Sequence, residues 1–315
     1  MNSFIDNEFY RLIADIESKS EDEIYLHMVN KFLELPFLTQ ISIQQFLNKF
    51  EYWGRIEVEN MNFEMIRDKA KVFYERSNEY VWLYEYLQDY RSKYILFSVL
   101  NNFYNFDFVN LRNCMENIYK HYFDLDIMPR RTDEVLVDIG AYIGDSCIDY
   151  IESYGKESYK KIYCYEISDE NIEKMRENLR NYENICILKK AVSDFNGELY
   201  FDNNTDSSAN KTAEKGSETV SAVTLDDDLT ENISMVKMDI EGGEISALKG
   251  MKNHIKKDRP TLLISVYHNN TDLLDIPKLI ADYNTDYQYY LRYYGGCYFA
   301  TEIVLIAIPV KRDER

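Results

Sequence analysis

The chain has 315 residues, 45% of them apolar and 15% aromatic, and carries a net charge of −19. That content supports a full hydrophobic core and up to two domains, and it excludes a disordered chain. The acidic balance argues against nucleic acid as a partner and against adhesion to anionic lipid, because both lean on Lys and Arg.

The opening stretch, MNSFIDNEFYRLIADIESKS, lacks a basic segment ahead of an apolar core and does not read as a signal peptide. Ile5, Phe9, Leu12, Ile13 and Ile16 fall on one face of a helix. Ser20 and Glu23 form a capping box that opens a second helix. Apolar stripes at 62–75, 79–90, 92–104 and 108–122 extend the helical rhythm. The polar break Pro129–Asp133 divides a helical N-terminal region, 1–130, from a second domain, 131–315.

Beyond the break, short apolar runs alternate with amphipathic stretches. VLVDIG (135–140), KIYCYEI (161–167), ICILKKAV (185–192), MVKMDIE (235–241), TLLISVYH (261–268), YQYYLRYY (287–294) and EIVLIAI (302–308) read as strands. Strands alternating with helices imply an α/β fold with a mostly parallel, Rossmann-like sheet. The last two runs are too close for a crossover and predict an antiparallel C-terminal hairpin. The polar stretch 202–218 reads as a loop. No run approaches eighteen uninterrupted apolar residues, so no membrane span is expected. The five cysteines lack C-x-x-C spacing and their number is odd, which fits reduced thiols in a cytoplasmic protein.

The segment VDIGAYIGDS (137–146) ends the first strand of this domain. Ligands of open α/β sheets bind at such carboxyl ends. Gly140 frees the turn and Gly144 lets the next helix begin close to a ligand, with Tyr142 between them. Asp138 and Asp145 place negative charge where a pyrophosphate would be repelled and a cationic ligand welcomed. Glu166 ends the second strand, where an acid can accept from ribose hydroxyls. Ser193 and Asp194 follow the third strand, beside the expected position of an adenine. Together these residues fit S-adenosylmethionine (SAM).

VDIGAYIGDS, YCYEIS, AVSDFNGELYF, VTLDDDL, VKMDIEGGEISALKGM and ISVYH, in that order, resemble the FkbM-type class I methyltransferases over roughly residues 134–308. KHYFDLDIMP (120–129) is similar to the lead-in of one branch of that group. The resemblance implies a class I methyltransferase sheet and O-methylation of sugars or related small molecules. It also strengthens the case for His268, where the family commonly has a histidine.

On the acceptor side, Lys237, Asp239 and Glu241 alternate along the fourth strand and so share a face while the strand lasts. Asp239 is expected at its carboxyl end, and His268 ends the next strand. The other histidines, His27, His121 and His254, lie in helical patterns. A neutral sugar hydroxyl needs a base or a metal before it can displace a methyl group in line. One arrangement uses His268 as base with Asp239 orienting it. The other uses Mg²⁺ or Mn²⁺ held by Asp239, His268 and Glu241; the metal-free arrangement is favoured.

Bland readings compete elsewhere. Glu244 favours a helix dipole rather than catalysis, and Lys237 pairs with a neighbouring acid. Tyr122 and Asp124 could cover the cofactor. Arg292 and Glu302 are weaker acceptor-binding candidates, and for Arg292 a surface ion pair explains the residue equally well. The tyrosines of 287–298 suit sheet packing better than sugar stacking.

The expected protein is therefore a cytoplasmic SAM-dependent methyltransferase. Its acceptor is a sugar or nucleotide-linked sugar bound for a surface polysaccharide or a natural product. Its helical N-terminal region serves as acceptor-pocket wall or homo-oligomer surface. Two rivals remain. An NAD-dependent oxidoreductase is disfavoured because the middle glycine of G-x-G-x-x-G is missing and acids stand at 138 and 145. A non-catalytic adenosyl-ligand-binding or scaffold protein is disfavoured because the site residues are intact.

Overall fold

The computed structural model describes residues 3–50, 53–128, 131–201, 212–213 and 218–310. The elements in chain order are α1 (Phe4–Glu17), α2 (Glu21–Leu33), α3 (Phe37–Phe50), β1 (Ile56–Glu57), β2 (Asn62–Phe63), α4 (Glu64–Tyr86), α5 (Tyr90–Asn105) and α6 (Phe108–Asn113). There follow β3 (Glu134–Ile139), α7 (Asp145–Tyr154), β4 (Tyr159–Glu166), α8 (Asp169–Leu179), β5 (Ile185–Lys189), β6 (Ala191–Val192), β7 (Gly197–Phe201), β8 (Thr212–Ala213) and β9 (Glu218–Val223). The chain continues through α9 (Leu225–Asp228), β10 (Met235–Met238), α10 (Glu244–Gly250), α11 (Lys252–Lys257), β11 (Thr261–Ser265), α12 (Asp272–Tyr283), β12 (Tyr287–Tyr293) and β13 (Ile303–Pro309).

Two compact units emerge. One comprises residues 1–116, 266–277 and 289–304; the other comprises 117–265, 278–288 and 305–315. The partition differs from a single cut at the polar break, because two later segments fall in the same unit as the N-terminal helices. Residues 129–130 of that break and most of the loop expected at 202–218 lie outside the described residues. Within that loop region Thr212–Ala213 forms β8, antiparallel to β7, and Glu218 opens β9.

In the helical unit α1 starts at a capping box of Ser3 and Asp6 and buries Ile5, Phe9, Leu12, Ile13 and Ile16. The capping box of Ser20 and Glu23 opens α2. Most residues of the stripes at 62–75 and 79–90 join in one helix, α4, kinked at Arg76, while Asn62–Phe63 forms β2 and Tyr90 opens α5. The stripe at 108–122 does not stay helical. It stops at Asn113, and the Glu116 amide donates instead to the Tyr293 carbonyl at 2.7 Å. A tertiary hydrogen bond there replaces the next helical one. His121 consequently sits in a turn rather than a helix.

The main sheet has seven strands in the order β12-β13-β11-β10-β3-β4-β5. β3 is parallel to both β10 and β4, and β10 is parallel to β11. β3, β10 and β11 are buried throughout, which is why they read as continuous apolar runs rather than alternating ones. The expected strand 185–192 divides. Its first part, β5, ends the main sheet, whereas Ala191–Val192 pairs with β9 in a separate four-stranded sheet. There Ala191 and Val220 form a small core with Ile167 and Leu199. All five cysteines are free, and among the described residues no helix is long and apolar enough to cross a membrane.

Candidate active site

The loop after β3 is tightly specified. Gly140 has a φ of +77°, and a Cβ there would stand 1.9 Å from the Asp239 carbonyl oxygen. The Gly140 and Ala141 amides both donate to the Tyr165 carbonyl at 3.0 Å. Gly144 has a φ of +81° and opens α7, packed against Met175 and Leu179 of α8. Tyr142 takes a φ of +46° between the two glycines. Both glycine positions thus combine a left-handed conformation with close approach, and no side chain satisfies both.

Asp138 points inward and is fully buried. It accepts from the Ser146 hydroxyl and pairs with the Lys237 ammonium at 3.0 Å. Lys237 also donates to the Gly140 carbonyl at 2.6 Å, so one side chain links β10 to the loop. Burial works against the Lys237 charge, but Asp138 and Asp239 outweigh it and raise the pKa above the usual lysine value. The expected pairing of Lys237 with an acid is thus observed, and Asp138 serves as that partner. Asp145 remains exposed in the first turn of α7.

Glu166 ends β4 with its carboxylate turned back on the loop. Its Oε2 accepts from the Tyr142 amide at 2.9 Å, and its Oε1 accepts from the Ile167 and Ser168 amides at 2.8 Å. Burial raises its pKa, with those amides pulling the other way. Ser193 and Asp194 follow β6, not the main-sheet strand expected from the sequence. Asp194 Oδ1 accepts from Ser246 of α10 at 2.8 Å. Gly250 packs so closely that a Cβ would stand 1.8 Å from the Ser193 carbonyl oxygen.

Asp239 follows the last residue of β10, and its amide donates to the Ile139 carbonyl at 3.0 Å. Its Oδ2 accepts from the Tyr122 hydroxyl at 2.7 Å. Tyr122 has a φ of +71°, a conformation uncommon outside glycine. The His121 ring stacks on it at 4.0 Å and 11°. Burial pushes the His121 pKa down to about 4 despite nearby Asp239, so the imidazole is neutral at pH 7. Lys237 lies 5.4 Å from the Tyr122 ring centroid.

Glu241 does not share a strand face with Lys237 and Asp239. β10 ends at Met238, and Glu241 adopts a φ of +58° in the turn before α10. The helix-dipole reading of Glu244 is also incomplete: the residue is fully buried and its Oε1 accepts from the Ile240 amide at 3.0 Å.

The remaining candidates belong to the helical unit. His268 is 2% exposed and follows β11 by three residues. Its ring centroid is 4.1 Å from that of Tyr267. The Tyr267 hydroxyl donates to Glu302 at 2.9 Å, and its carbonyl accepts from Trp53 Nε1 at 2.7 Å. Arg292 is not at the surface. It is 2% exposed, pairs with Asp89 at 2.9 Å and donates to Ser92 Oγ at 3.1 Å. That pair closes the β12 region of its own unit.

The α/β unit therefore gathers Asp138, Gly140, Tyr142, Glu166, Lys237 and Asp239 with Tyr122. The Tyr122–Asp239 bond had no spacing signal, since 117 residues separate the partners. The aromatic lead-in KHYFDLD was its only trace.

Residues 138–289 match the family model described as the methyltransferase FkbM domain. The hexuronic acid methyltransferase AglP of Haloferax volcanii is 26% identical over 159 residues, 48% of this chain and 62% of that protein. A crystal structure titled methyltransferase FkbM, from Methylobacillus flagellatus KT, is similar with a TM-score of 0.66 at 23% identity. The match covers 84% of this chain and 65% of that one. The chain thus spans somewhat less than two thirds of each relative's length.

Proposed function

We propose that this chain, whose residues 138–289 match the methyltransferase FkbM domain model, is a SAM-dependent O-methyltransferase acting on a sugar. The observation that carries the reading is the loop after β3, packed through Gly140 against the Asp239 carbonyl and faced by the Glu166 carboxylate. Of the two acids expected to favour a cationic ligand, only Asp145 is exposed at the first turn of α7, whereas the buried Asp138 is neutralised by Lys237. When bound, SAM supplies an electrophilic methyl group.

A carboxylate oxygen has room for about two hydrogen bonds. Glu166 already accepts from the Tyr142, Ile167 and Ser168 amides, and its carboxylate is the group proposed to accept a ribose hydroxyl. Ser193 and Asp194 flank the place for the base.

The residues proposed to act on the acceptor are Asp239 and His268. Asp239 follows β10 and His268 follows β11. His268 takes up the hydroxyl proton at a ring nitrogen, which makes the oxygen a competent nucleophile. Tyr122 fixes the Asp239 carboxylate by donating to it. The sugar assignment is supported by the relative described as a hexuronic acid methyltransferase.

The test is calorimetric titration with S-adenosylhomocysteine (SAH), with NAD as control, followed by methyl transfer to a panel of sugars. Micromolar binding of SAH but not NAD, with transfer to a sugar, is expected. His268→Ala should keep SAH binding and lose turnover. Binding of NAD alone would discard the reading, and SAH binding without transfer to any acceptor would favour a non-catalytic adenosyl-binding protein.

A further inference from the structure

The α/β unit holds a cavity of about 240 Å³ at the amino ends of its parallel strands. Glu134, the first residue of β3, and Met235, the first of β10, line it together with Tyr150 and Tyr154 of α7. These four are buried. On the same lining Arg131 and Gln288 are half-buried and Val310 is exposed, so the cavity has a mouth on that side. The loop after β3 lies at the other end of the strand. From Glu134 to Gly140 an extended chain covers about 20 Å.

Glu134 is the one acid among the lining residues, and it is 3% exposed. Its Oε2 has no hydrogen-bond partner among the described residues. Its Oε1 stands 3.8 Å from Arg131 Nε, too far for a hydrogen bond. The Tyr154 hydroxyl does not help, because it donates to the Met128 carbonyl at 3.1 Å. Burial raises the Tyr150 and Tyr154 pKa values and the Glu134 charge adds to the effect, which puts the carboxylate near both phenols.

That is a costly arrangement, because a buried carboxylate ordinarily takes donors or a cation. Asp138, the other acid of β3, does so with the Ser146 hydroxyl and the Lys237 ammonium. A hard divalent ion would need several oxygen ligands, and one carboxylate does not supply them. An ammonium needs only a good acceptor, and a low local dielectric strengthens the charge-assisted hydrogen bond it makes. The rest of the wall, with Met235, Ile308 and the two tyrosines, suits an alkyl or aryl body.

We propose that this cavity is a binding site, separate from the loop after β3, for a primary amine with an apolar body whose ammonium is held by Glu134. The inference stands apart from the methyltransferase reading.

The experiment is calorimetric titration of the full chain at pH 7 with 2-phenylethylamine and hexylamine. 2-Phenylethanol and hexanol serve as neutral controls of the same shape. At least one amine should bind about tenfold or more tightly than its alcohol. Glu134→Gln should weaken that amine at least about tenfold, the loss of a hydrogen bond to a charged group, and leave the alcohol unchanged. E134Q should unfold at or above the wild-type temperature, since it removes a buried charge without a partner. SAH affinity should be the same with and without the amine, because the two sites lie at opposite ends of β3.

No binding of either amine, equal affinity for amine and alcohol, unchanged amine affinity in E134Q, or displacement of SAH by the amine overturns the proposal. Should E134Q fail to fold, Arg131→Ala takes its place. It removes a like charge at the mouth and should tighten amine binding; amine affinity that does not rise overturns the proposal.

Discussion

Tyr122 donates its phenolic hydrogen to Asp239 Oδ2 at 2.7 Å, from a residue with a φ of +71°. A bulky side chain in that conformation costs about 1 kcal/mol or more, so the surrounding structure must hold it there. Tyr122→Phe keeps the ring and the His121 stack while removing the donor. SAH affinity should stay within about twofold, and kcat should fall by about tenfold through misplacement of Asp239. Calorimetry and steady-state kinetics separate the two effects. A rise in KM with unchanged kcat would count against the positioning role.

Gly140→Ala combines a forbidden contact with a left-handed backbone. A Cβ 1.9 Å from the Asp239 carbonyl oxygen forces β10 and the loop apart. The variant should lose SAH binding altogether and melt well below wild type. Differential scanning fluorimetry with and without SAH reads both.

Lys237→Met strands a fully buried Asp138 carboxylate and should cost about 3–5 kcal/mol in urea denaturation. The double variant Lys237→Met with Asp138→Asn should recover part of that loss, since no uncompensated charge remains. Full additivity of the two single variants would show that the pair is not energetically coupled.

His121 gives a pH dependence of defined sign. Its folded pKa is depressed to about 4 from 6.5. Between those values the unfolded chain binds a proton that the folded chain does not. The favourable contribution is therefore intact above pH 6.5 and is lost as pH falls towards 4. From pH 7 to pH 5 the loss is about 2 kcal/mol. Urea denaturation of wild type and His121→Gln at both pH values checks this: the wild type should lose the additional stability and the variant should not.

Much of the loop after β3 was legible because its constraints are local. Gly140 and Gly144 announce left-handed turns, and Glu166 announces a carboxylate at a strand end. Other features were less readable. The run 185–192 looked like one strand because period and apolarity do not report which sheet accepts the hydrogen bonds. Glu241 looked like a face-mate of Asp239 because alternation holds only while the strand lasts, and β10 stops at Met238. Arg292 was weighed as an acceptor ligand against a surface ion pair because a buried pairing with Asp89 leaves no periodic mark.

The sequence by itself determined the helical caps, the apolar strands, the parallel architecture and the loop that resembles the FkbM methyltransferases. These depend on neighbours within a few residues or on patterns that repeat along one element. Tertiary structure alone decided that Tyr122 meets Asp239 and that Lys237 joins Asp138 to the Gly140 carbonyl. Such contacts join residues far apart in the chain. Their energies depend on burial and dielectric, which exist only once the chain has packed.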